Sequence, residues 1–260
     1  MGNTLKEQGK LNQAKASYRK AVTLKTDFAE AYYNLGSTLQ ELGNLKEAEA
    51  NLRQALALKT DFFEAHNSLG VTLRRLGRLE DAEASFSQAI ALKSDYVEAH
   101  NNLGVTLEEL GKLEEAKESY GQAISFEPND ITAHLNRWRL FFKKGNFEAA
   151  LKDADFCDTK RSRVYSLETL YALGRTEEIY KRIEMLSVSD DDNLEMAAFA
   201  SFIADQEKKN TAHNFCRNPL SFIQFNNLSS HIDNSNKFIR EVVDELCEIN
   251  TIWEPNEKAT

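Results

Sequence analysis

The chain has 260 residues, 42% of them hydrophobic and 28% charged, a composition that suits a soluble protein with enough apolar residues for a core. Its net charge of −9 and pI near 5.2 argue against a protein that binds nucleic acid, which would show a basic face. The three cysteines form no Cys-x-x-Cys pair, and neither a signal peptide nor a long apolar run is recognisable. We therefore expect a reducing, cytoplasmic setting and no membrane partner.

A unit of 34 residues recurs along the first half of the chain without insertion. Three tripeptides stand in the same register, namely Asn34-Leu35-Gly36, Ser68-Leu69-Gly70 and Asn102-Leu103-Gly104. The same register holds three turns and three alanines: Leu42-Gly43, Leu76-Gly77, Leu110-Gly111, Ala48, Ala82 and Ala116. A period of this length predicts stacked supersecondary units rather than a globule.

Each unit reads as two helices joined by a glycine turn. In the second unit, one apolar stripe runs from Ala65 to Leu76, Gly77 follows where a helix ends, and a second stripe runs from Leu79 to Leu92. Gly70 and Ala82 are the small residues that should let the two helices approach closely. One such hairpin cannot bury its own apolar face, so neighbouring hairpins must supply the core.

This pattern of Leu-Gly-x-x-Leu, a Leu-Gly turn, an alanine and an aromatic or leucine residue resembles the tetratricopeptide repeat. The resemblance implies an all-α fold, a right-handed superhelical solenoid of the tetratricopeptide type with no sheet, followed by a degenerate helical C-terminal part.

The register also predicts the domain organisation. The repeat array spans 1–164, and it begins with a partial repeat, 1–28, that starts halfway along a first helix. Three full repeats follow, which we name repeat A (29–62), repeat B (63–96) and repeat C (97–130). Repeat D (131–164) is degenerate, because Arg137-Trp138 replaces Leu-Gly. A tryptophan there should prevent the close helix contact, so we expect this unit to pack differently or to act as a transition. We expect degenerate helical repeats at 165–208 and a linker with one amphipathic helix at 209–260.

In tetratricopeptide proteins, one side of each first helix lines a concave groove that receives extended peptides or partner helices. By this resemblance, the candidate binding residues are Glu30, Tyr33, Asn34, Glu64, Asn67, Ser68, Glu98, Asn101, Asn102 and Asn136. Asn34, Asn102 and Asn136 share one repeat position, with Ser68 between them. An amide both donates and accepts, so such a row can hold a peptide backbone, and it resembles the asparagine ladder of O-GlcNAc transferase. The alternative interpretation is a solvated polar helix face.

The charges on this side favour a neutral or basic protein or peptide as partner. The tetratricopeptide clamp for acidic chaperone tails needs lysine or arginine at positions held here by Glu30, Tyr33, Glu64, Asn67, Glu98 and Asn101. Carboxylates at those positions would repel an acidic tail. Six glutamates lie on or beside the groove, against Arg74 and Arg75: Glu30, Glu41, Glu64, Glu98, Glu108 and Glu109.

No complete catalytic constellation is recognisable, so we predict that this chain is not an enzyme and needs no cofactor or metal. His231-Ile232-Asp233 is an isolated His-x-Asp, with no later histidine to complete an iron site. His66, His100 and His134 recur at one repeat position, but stacked helices lie about 8–10 Å apart, too far for a shared zinc ion. We interpret them as half-buried packing residues.

A second resemblance concerns the C-terminal part. Residues 214–220, the predicted helix after Asn234 and residues 251–255 resemble the segment that joins tetratricopeptide repeats to a 2-oxoglutarate/iron(II) oxygenase domain in bacterial proteins. It implies that the chain is the front part of a longer protein. Two hypotheses stay open: an interaction scaffold, or the substrate-recruiting part of such an oxygenase or of an enzyme like O-GlcNAc transferase.

Overall fold

The computed structural model describes residues 2–186 and the single residues 193, 196, 199, 200 and 203. They fall into two compact regions, which we describe separately: region 1 ends at Cys157 and region 2 begins at Asp158. Region 1 therefore ends inside the segment assigned to repeat D. The predicted linker at 209–260, with His231 and Asp233, lies outside the described residues, as does most of 187–208 at the end of the predicted degenerate repeats.

Region 1 consists of consecutive helices joined by short turns. They are α1 (Gly2–Glu7), α2 (Leu11–Leu24), α3 (Ala29–Glu41), α4 (Leu45–Leu58), α5 (Phe63–Arg75), α6 (Leu79–Leu92), α7 (Val97–Glu109), α8 (Leu113–Phe126), α9 (Ile131–Lys143) and α10 (Phe147–Cys157). Each first helix from α3 onward packs against the second helix of its own hairpin and against the second helix of the hairpin before it. The described residues contain no strand. The prediction of an all-α solenoid of stacked helix pairs is confirmed.

Region 2 begins with two helices, α11 (Lys160–Ala172) and α12 (Thr176–Leu186), which pack against each other. Thr159 caps α11: its hydroxyl accepts from the Ser162 N–H, and the Ser162 hydroxyl accepts from the Thr159 N–H. Further along, the Asn193 side chain accepts from the Met196 N–H at 3.1 Å. Asn193 also donates to the Lys160 carbonyl at 2.9 Å, which ties this segment to the start of α11.

Glycine ends each first helix because the chain must enter the left-handed region there. Gly43 has a φ of 78°, and Gly77 and Gly111 each have 77°. At Gly43 the N–H bonds the Gln40 carbonyl, and the next N–H, that of Asn44, bonds the Leu39 carbonyl at 2.8 Å. This pair of bonds is the Schellman motif, and it satisfies carbonyls that the helix end would otherwise leave open.

A second glycine in each repeat sets the distance between the paired helices. A Cβ atom placed on Gly70 would lie 2.7 Å from Cε1 of Phe86, a ring that is fully buried in α6. Gly104 faces the buried ring of Tyr120 in the same way. The helices of repeats B and C are therefore in contact through a ring that lies directly on glycine, as expected for Gly70.

Repeat D closes its hairpin although Trp138 replaces the glycine. The repeat register places Ala154 opposite Trp138, where repeats B and C carry Phe86 and Tyr120. Trp138 is buried, and α9 packs against α10. The expectation that a tryptophan would prevent the contact between these helices is therefore wrong, because the large and small residues have exchanged places across the hairpin. In this respect repeat D packs differently from repeats B and C.

A buried ionic cluster also joins α9 to α10. The Asp153 side chain is 4% exposed and accepts from Arg137 at 2.8 Å through Nε and at 2.7 Å through Nη2. The same carboxylate lies 2.8 Å from Nδ1 of His134. Arg137 stands where the other repeats carry leucine, so a bidentate ion pair replaces an apolar contact here.

The repeating histidines hold the loop before each first helix. In His66, His100 and His134, Nε2 lies 3.1, 2.9 and 3.0 Å from the carbonyl oxygen six residues earlier, that of Thr60, Ser94 and Pro128 respectively. His100 and His134 are buried and His66 is half-buried. Each histidine therefore joins the first helix of its repeat to the last residues of the repeat before it.

Glu108 ties repeat C to repeat D. Its carboxylate, 7% exposed, accepts from the Tyr120 hydroxyl at 2.9 Å, from Arg139 Nη2 at 2.9 Å and from Lys143 Nζ at 3.3 Å. Burial by itself raises the pKa of Glu108, but the hydrogen bonds from Arg139, Tyr120 and Lys143 outweigh it. The pKa of Glu108 therefore lies below its ordinary value of 4.5.

Two glycine-to-alanine substitutions should have opposite effects on stability. Gly70→Ala should destabilise the fold by about 1–3 kcal/mol, because the added carbon would lie 2.7 Å from the fully buried Phe86 ring, so that the ring would have to shift. Gly121→Ala, inside α8, should stabilise it by up to about 1 kcal/mol, since alanine favours helix and no heavy atom lies within 4 Å of the added carbon. Urea unfolding followed by circular dichroism measures both. Shifts in the same direction would contradict the close contact at Gly70.

The Glu108 tie should weaken in acid. Because the pKa of Glu108 is lower in the folded chain, its bonds stabilise the fold above pH 4.5, and this contribution is lost as the pH falls through the folded pKa. We expect Glu108→Gln to melt below the wild type at neutral pH and the gap to narrow in acid. Thermal melts at several pH values measure this. Glu47→Gln, which removes an exposed pair with Arg19, is the matched control and should give a smaller gap at neutral pH. A gap for Glu108→Gln that stays constant down to about pH 3 would contradict the prediction.

Candidate functional site

The first helices of repeats A to D form one surface. Within region 1, α3 contacts α5, α5 contacts α7, and α7 contacts α9. The ten binding residues predicted from the sequence all lie on these four helices, and we call the side that carries them the groove. Of the ten, Asn67 and Asn101 are buried, Glu30 and Glu98 are exposed and the rest are half-buried.

The repeat position of the predicted ladder carries Asn34, Ser68, Asn102 and Asn136 on successive first helices. Among the described residues, the side-chain amides of Asn34 and Asn136 have no hydrogen-bond partner within 3.5 Å. Asn102 uses its Nδ2, which donates to Oδ1 of Asn67 at 3.0 Å, and its own Oδ1 receives no bond from the same part of the chain. Three of the four helices thus present unused amide groups.

Asn67 and Asn101 have a different environment from the ladder residues. Asn67 is 3% exposed and donates to Oε1 of Glu98 at 3.0 Å and to the Tyr96 hydroxyl at 3.4 Å. Asn101 is 7% exposed and donates to Oδ2 of Asp130 at 2.9 Å. These two amides join neighbouring repeats, so their donor groups are already engaged within the protein.

Aromatic rings and lysines line one margin of the groove. The ring of Tyr33 lies 4.8 Å from that of Phe62, and Lys59 Nζ lies 4.6 Å above the Phe62 ring. The rings of Phe63 and Tyr96 repeat this contact one repeat further on, at 5.1 Å. Burial raises the pKa of Tyr33 and of Tyr96, and the negative charges of Glu64 and Glu98 raise both further. This margin is therefore electronegative.

Ion pairs cover the other margin. Lys6 pairs with Glu41 at 2.9 Å, and Arg74 pairs with Glu109 at 2.8 Å. Arg75 donates to the Gln40 carbonyl at 2.8 Å, and Glu108 is paired as described above. Of the six glutamates counted in the sequence, Glu41, Glu108 and Glu109 therefore have a close cationic partner, and Glu30 has a distant one, Lys59 at 3.9 Å. Counting all six glutamates therefore overstates the negative charge of this margin. The glutamates without an ion-pair partner among the described residues, Glu64 and Glu98, lie at the opposite margin.

A concavity of about 470 Å³ opens in this electronegative margin, between the loops that precede α7 and α9. We call it the acidic cleft, and define it by four carboxylates, three amides and one lysine: Asp95, Glu98, Glu127, Asp130, Asn101, Asn102, Asn136 and Lys93. Four of these, Glu98, Asn101, Asn102 and Asn136, were predicted from the sequence.

Sequence reasoning missed the three loop carboxylates of the cleft, Asp95, Glu127 and Asp130. The repeat register carried a signal for one of them, because Asp27, Asp61 and Asp95 share a position. Asp130 could have been recognised as the N-cap of α9, because aspartate is favoured at that position. Its side chain accepts from the Thr132 N–H at 2.7 Å and from the Ala133 N–H at 3.2 Å.

A second cavity of about 710 Å³ lies on a different side of α7, between α6, α8 and α9. Leu103, Leu107 and Phe141 contribute its apolar lining, and the small residues Ser87 and Gly121 lie on its walls. None of the ten predicted groove residues lines it.

Neither cavity contains a metal-binding constellation. In the part of the chain that the structure describes, no three histidine, cysteine, aspartate or glutamate side chains lie close enough together to hold a metal ion. Within the same residues, no helix combines the length and the apolar character that a membrane span requires. Residues 214–220 and 251–255, which carry the resemblance to the oxygenase linker, lie outside the described residues.

Three family models match consecutive parts of the chain. A model described as TPR repeat matches residues 2–43, and two described as tetratricopeptide repeat match residues 33–97 and 97–130. The matched residues do not extend to the C-terminal segment that resembles the oxygenase linker. No curated protein matches the chain in a sequence comparison.

Solved structures agree with the family models. PilF of Pseudomonas aeruginosa is 22% identical with a TM-score of 0.63, over 77% of this chain and 93% of that one. TTC0263 of Thermus thermophilus, a thermophilic TPR protein, is 22% identical with a TM-score of 0.54, over 65% and 95%. YrrB, described as a TPR protein with an unusual peptide-binding site, is 26% identical with a TM-score of 0.52, over 68% and 88%. The chain therefore carries tetratricopeptide repeats over residues 2–130, within an all-α solenoid of stacked helix pairs.

Proposed function

We propose that the chain is a non-catalytic interaction scaffold and that its groove binds an extended peptide segment of a partner protein. The observation that carries this proposal is the row of amides at one repeat position. Asn34 and Asn136 have unused side-chain donors and acceptors, and Asn102 has an unused acceptor, all on helices that lie side by side. Polar groups without an internal partner are available to a ligand.

The spacing of the row suits an extended chain. Packed helices lie about 8–10 Å apart, and an extended peptide rises about 3.3 Å per residue. A peptide that crosses the first helices would meet one of these side chains about every third residue. Because an amide can bond a backbone N–H or carbonyl, it can hold a peptide of varied sequence.

YrrB supports a peptide as the kind of ligand. It is a tetratricopeptide protein described as having an unusual peptide-binding site. The match covers 68% of the present chain, with 26% identity. A bound peptide also fits the tetratricopeptide repeats matched at residues 2–130.

The partner segment should be neutral or basic. The positions that would need lysine or arginine to bind an acidic tail hold Glu30, Glu64 and Glu98 instead. Glu64 has no ion-pair partner among the described residues, and Glu30 has only a distant one, Lys59 at 3.9 Å. An acidic segment would meet uncompensated carboxylates along this margin, which disfavours binding.

Removing the amide row should weaken peptide binding. Peptides selected from a random library on the wild-type chain serve as probes, and fluorescence polarisation measures their affinity. We expect the triple variant Asn34→Ala/Asn102→Ala/Asn136→Ala to bind at least about tenfold more weakly, because each lost hydrogen bond contributes about 0.5–1.5 kcal/mol.

The matched control for this test is Asn12→Ala/Asn44→Ala/Asn146→Ala, which removes three exposed asparagines outside the groove and should leave the affinity unchanged. Unchanged affinity in the groove variant would remove the groove from consideration. Iron-dependent turnover of 2-oxoglutarate by the 260-residue chain would overturn the proposal that it is not catalytic.

The amides that hold the protein together should differ in stability from those proposed to face the ligand. Asn67→Ala removes, at a position that is 3% exposed, the bonds to Glu98, Tyr96 and Asn102, and should cost about 1–3 kcal/mol. Asn34→Ala and Asn136→Ala should each cost about 0.5 kcal/mol or less, because neither side chain is bonded within the described residues. Urea unfolding measures the three variants. Comparable losses at all of them would mean that the row is structural.

A further inference from the structure

We propose that the acidic cleft binds an arginine side chain of the partner segment. The proposal rests on the proposed function, because it adds to a peptide held along the groove one side chain that the peptide must carry. It concerns a single place, the junction of repeats C and D.

The carboxylates of the cleft are not neutralised within the described part of the chain. No lysine, arginine or histidine there lies within 4.0 Å of a carboxylate oxygen of Asp95, Glu98, Glu127 or Asp130. Lys93 also lines the cleft, but its Nζ lies over the rings of Phe63 and Tyr96, at 5.1 and 5.5 Å. The cleft therefore holds four carboxylates and one ammonium group, and that ammonium group lies over aromatic rings.

A buried acceptor in the lining of the cleft points to a donor from outside. Asn101 is 7% exposed, and its Nδ2 donates to Oδ2 of Asp130 at 2.9 Å, which fixes the orientation of the amide. Its Oδ1 is buried and has no hydrogen-bond donor among the described residues. Exchanging the two amide atoms would turn an oxygen toward the Asp130 carboxylate, so Asn101 cannot satisfy this acceptor by itself.

The set of acceptors suits a guanidinium group. Asp130 and Glu98 belong to different elements, and each oxygen that already accepts one bond retains a lone pair for another. A guanidinium carries five N–H donors in a planar fork, so it can bond a carboxylate through two of them and an amide oxygen through a third. A metal ion needs ligands that converge on one point, and the described residues hold no such group.

The cleft is continuous with the amide row. Asn102 and Asn136, two of the proposed backbone-binding residues, line the same concavity as Asp130. An arginine that enters the cleft would therefore belong to a peptide whose main chain follows the first helices. The negative charges of Glu64 and Glu98, which raise the pKa of Tyr33 in addition to the larger effect of its burial, extend the attractive field along that path.

The test uses single-residue probes, so that no partner needs to be known. Nitrogen-15 NMR spectra of the full chain are titrated with Nα-acetyl-arginine N-methylamide and with the citrulline analogue, which has nearly the same shape without the charge. We expect saturable shifts at the Asn101 side-chain amide and the Thr132 backbone amide with arginine. With citrulline the affinity should be at least about threefold lower, a modest change because the cleft is open to solvent. The lysine derivative should also bind more weakly, since it lacks the planar fork.

Two charge-removing variants identify the site. Asp130→Asn keeps a residue that caps a helix as well as aspartate does, and Glu98→Gln keeps an acceptor for Asn67. Each should weaken the arginine probe at least about threefold. Glu80→Gln is the control, because it removes one exposed carboxylate of α6, outside both the groove and the cleft, and should leave the affinity for the probe unchanged.

Equal binding of arginine and citrulline, equal binding of arginine and lysine, or equal effects of Glu80→Gln and Asp130→Asn would each overturn the proposal. Such a result would not contradict the proposal that the amide row binds a peptide, because the library peptides test that proposal separately. Conversely, if the triple asparagine variant kept full peptide affinity while the arginine probe still bound, the groove function would fail and the cleft would remain a site for a guanidinium.

Discussion

The contact between a glycine of the first helix and a large side chain of the second helix, in repeats A to C, is the constraint on which the rest of region 1 depends. Phe86 lies on Gly70, and Tyr120 lies on Gly104, at distances that leave no room for a side chain. Because this contact sets how closely each hairpin closes, it also determines which faces the next hairpin covers. The first helices are then brought side by side, with one side of each left available. The groove is a consequence of how the hairpins close.

The 34-residue period was sufficient to predict this arrangement, since a hairpin that repeats exactly must bury its face against its neighbours. Repeat D shows why the same reasoning failed at one position. Trp138 was judged alone, whereas packing depends on the combined volume of Trp138 and the residue across the hairpin, Ala154. Comparing such pairs between repeats, rather than single positions, would have predicted that this hairpin also closes.

The sequence predicted which residues lie along the groove, but not which of them already have a partner. The missing information lies in the stacking of the first helices. Asn67–Asn102, Arg74–Glu109 and Glu108–Lys143 are each separated by 35 residues, whereas Asn67–Glu98 and Glu108–Arg139 are separated by 31. The two separations differ by one helical turn, so each groove residue has two neighbours on the next first helix. A period of 34 residues compares equivalent positions and does not compare a residue with either of these neighbours. This is why Asn67 and Asn34 were both predicted to bind the partner, although Asn67 is bonded within the protein and the Asn34 side chain is not.

These ties between repeats also decide where a partner can be recognised. Along one margin the glutamates are neutralised by ion pairs. Glu41, Glu108 and Glu109 each bond a lysine or arginine of a neighbouring first helix or of α1. Along the other margin the neighbours of Glu98 are an amide and a tyrosine hydroxyl, which stabilise a carboxylate without neutralising it. A glutamate of these helices thus becomes a structural tie or part of an electronegative surface according to the residue that it meets on the neighbouring repeat. Recognition by such a solenoid is therefore determined by which polar groups the stacking leaves unsatisfied, and at the junction of repeats C and D those groups are carboxylates together with the buried oxygen of Asn101.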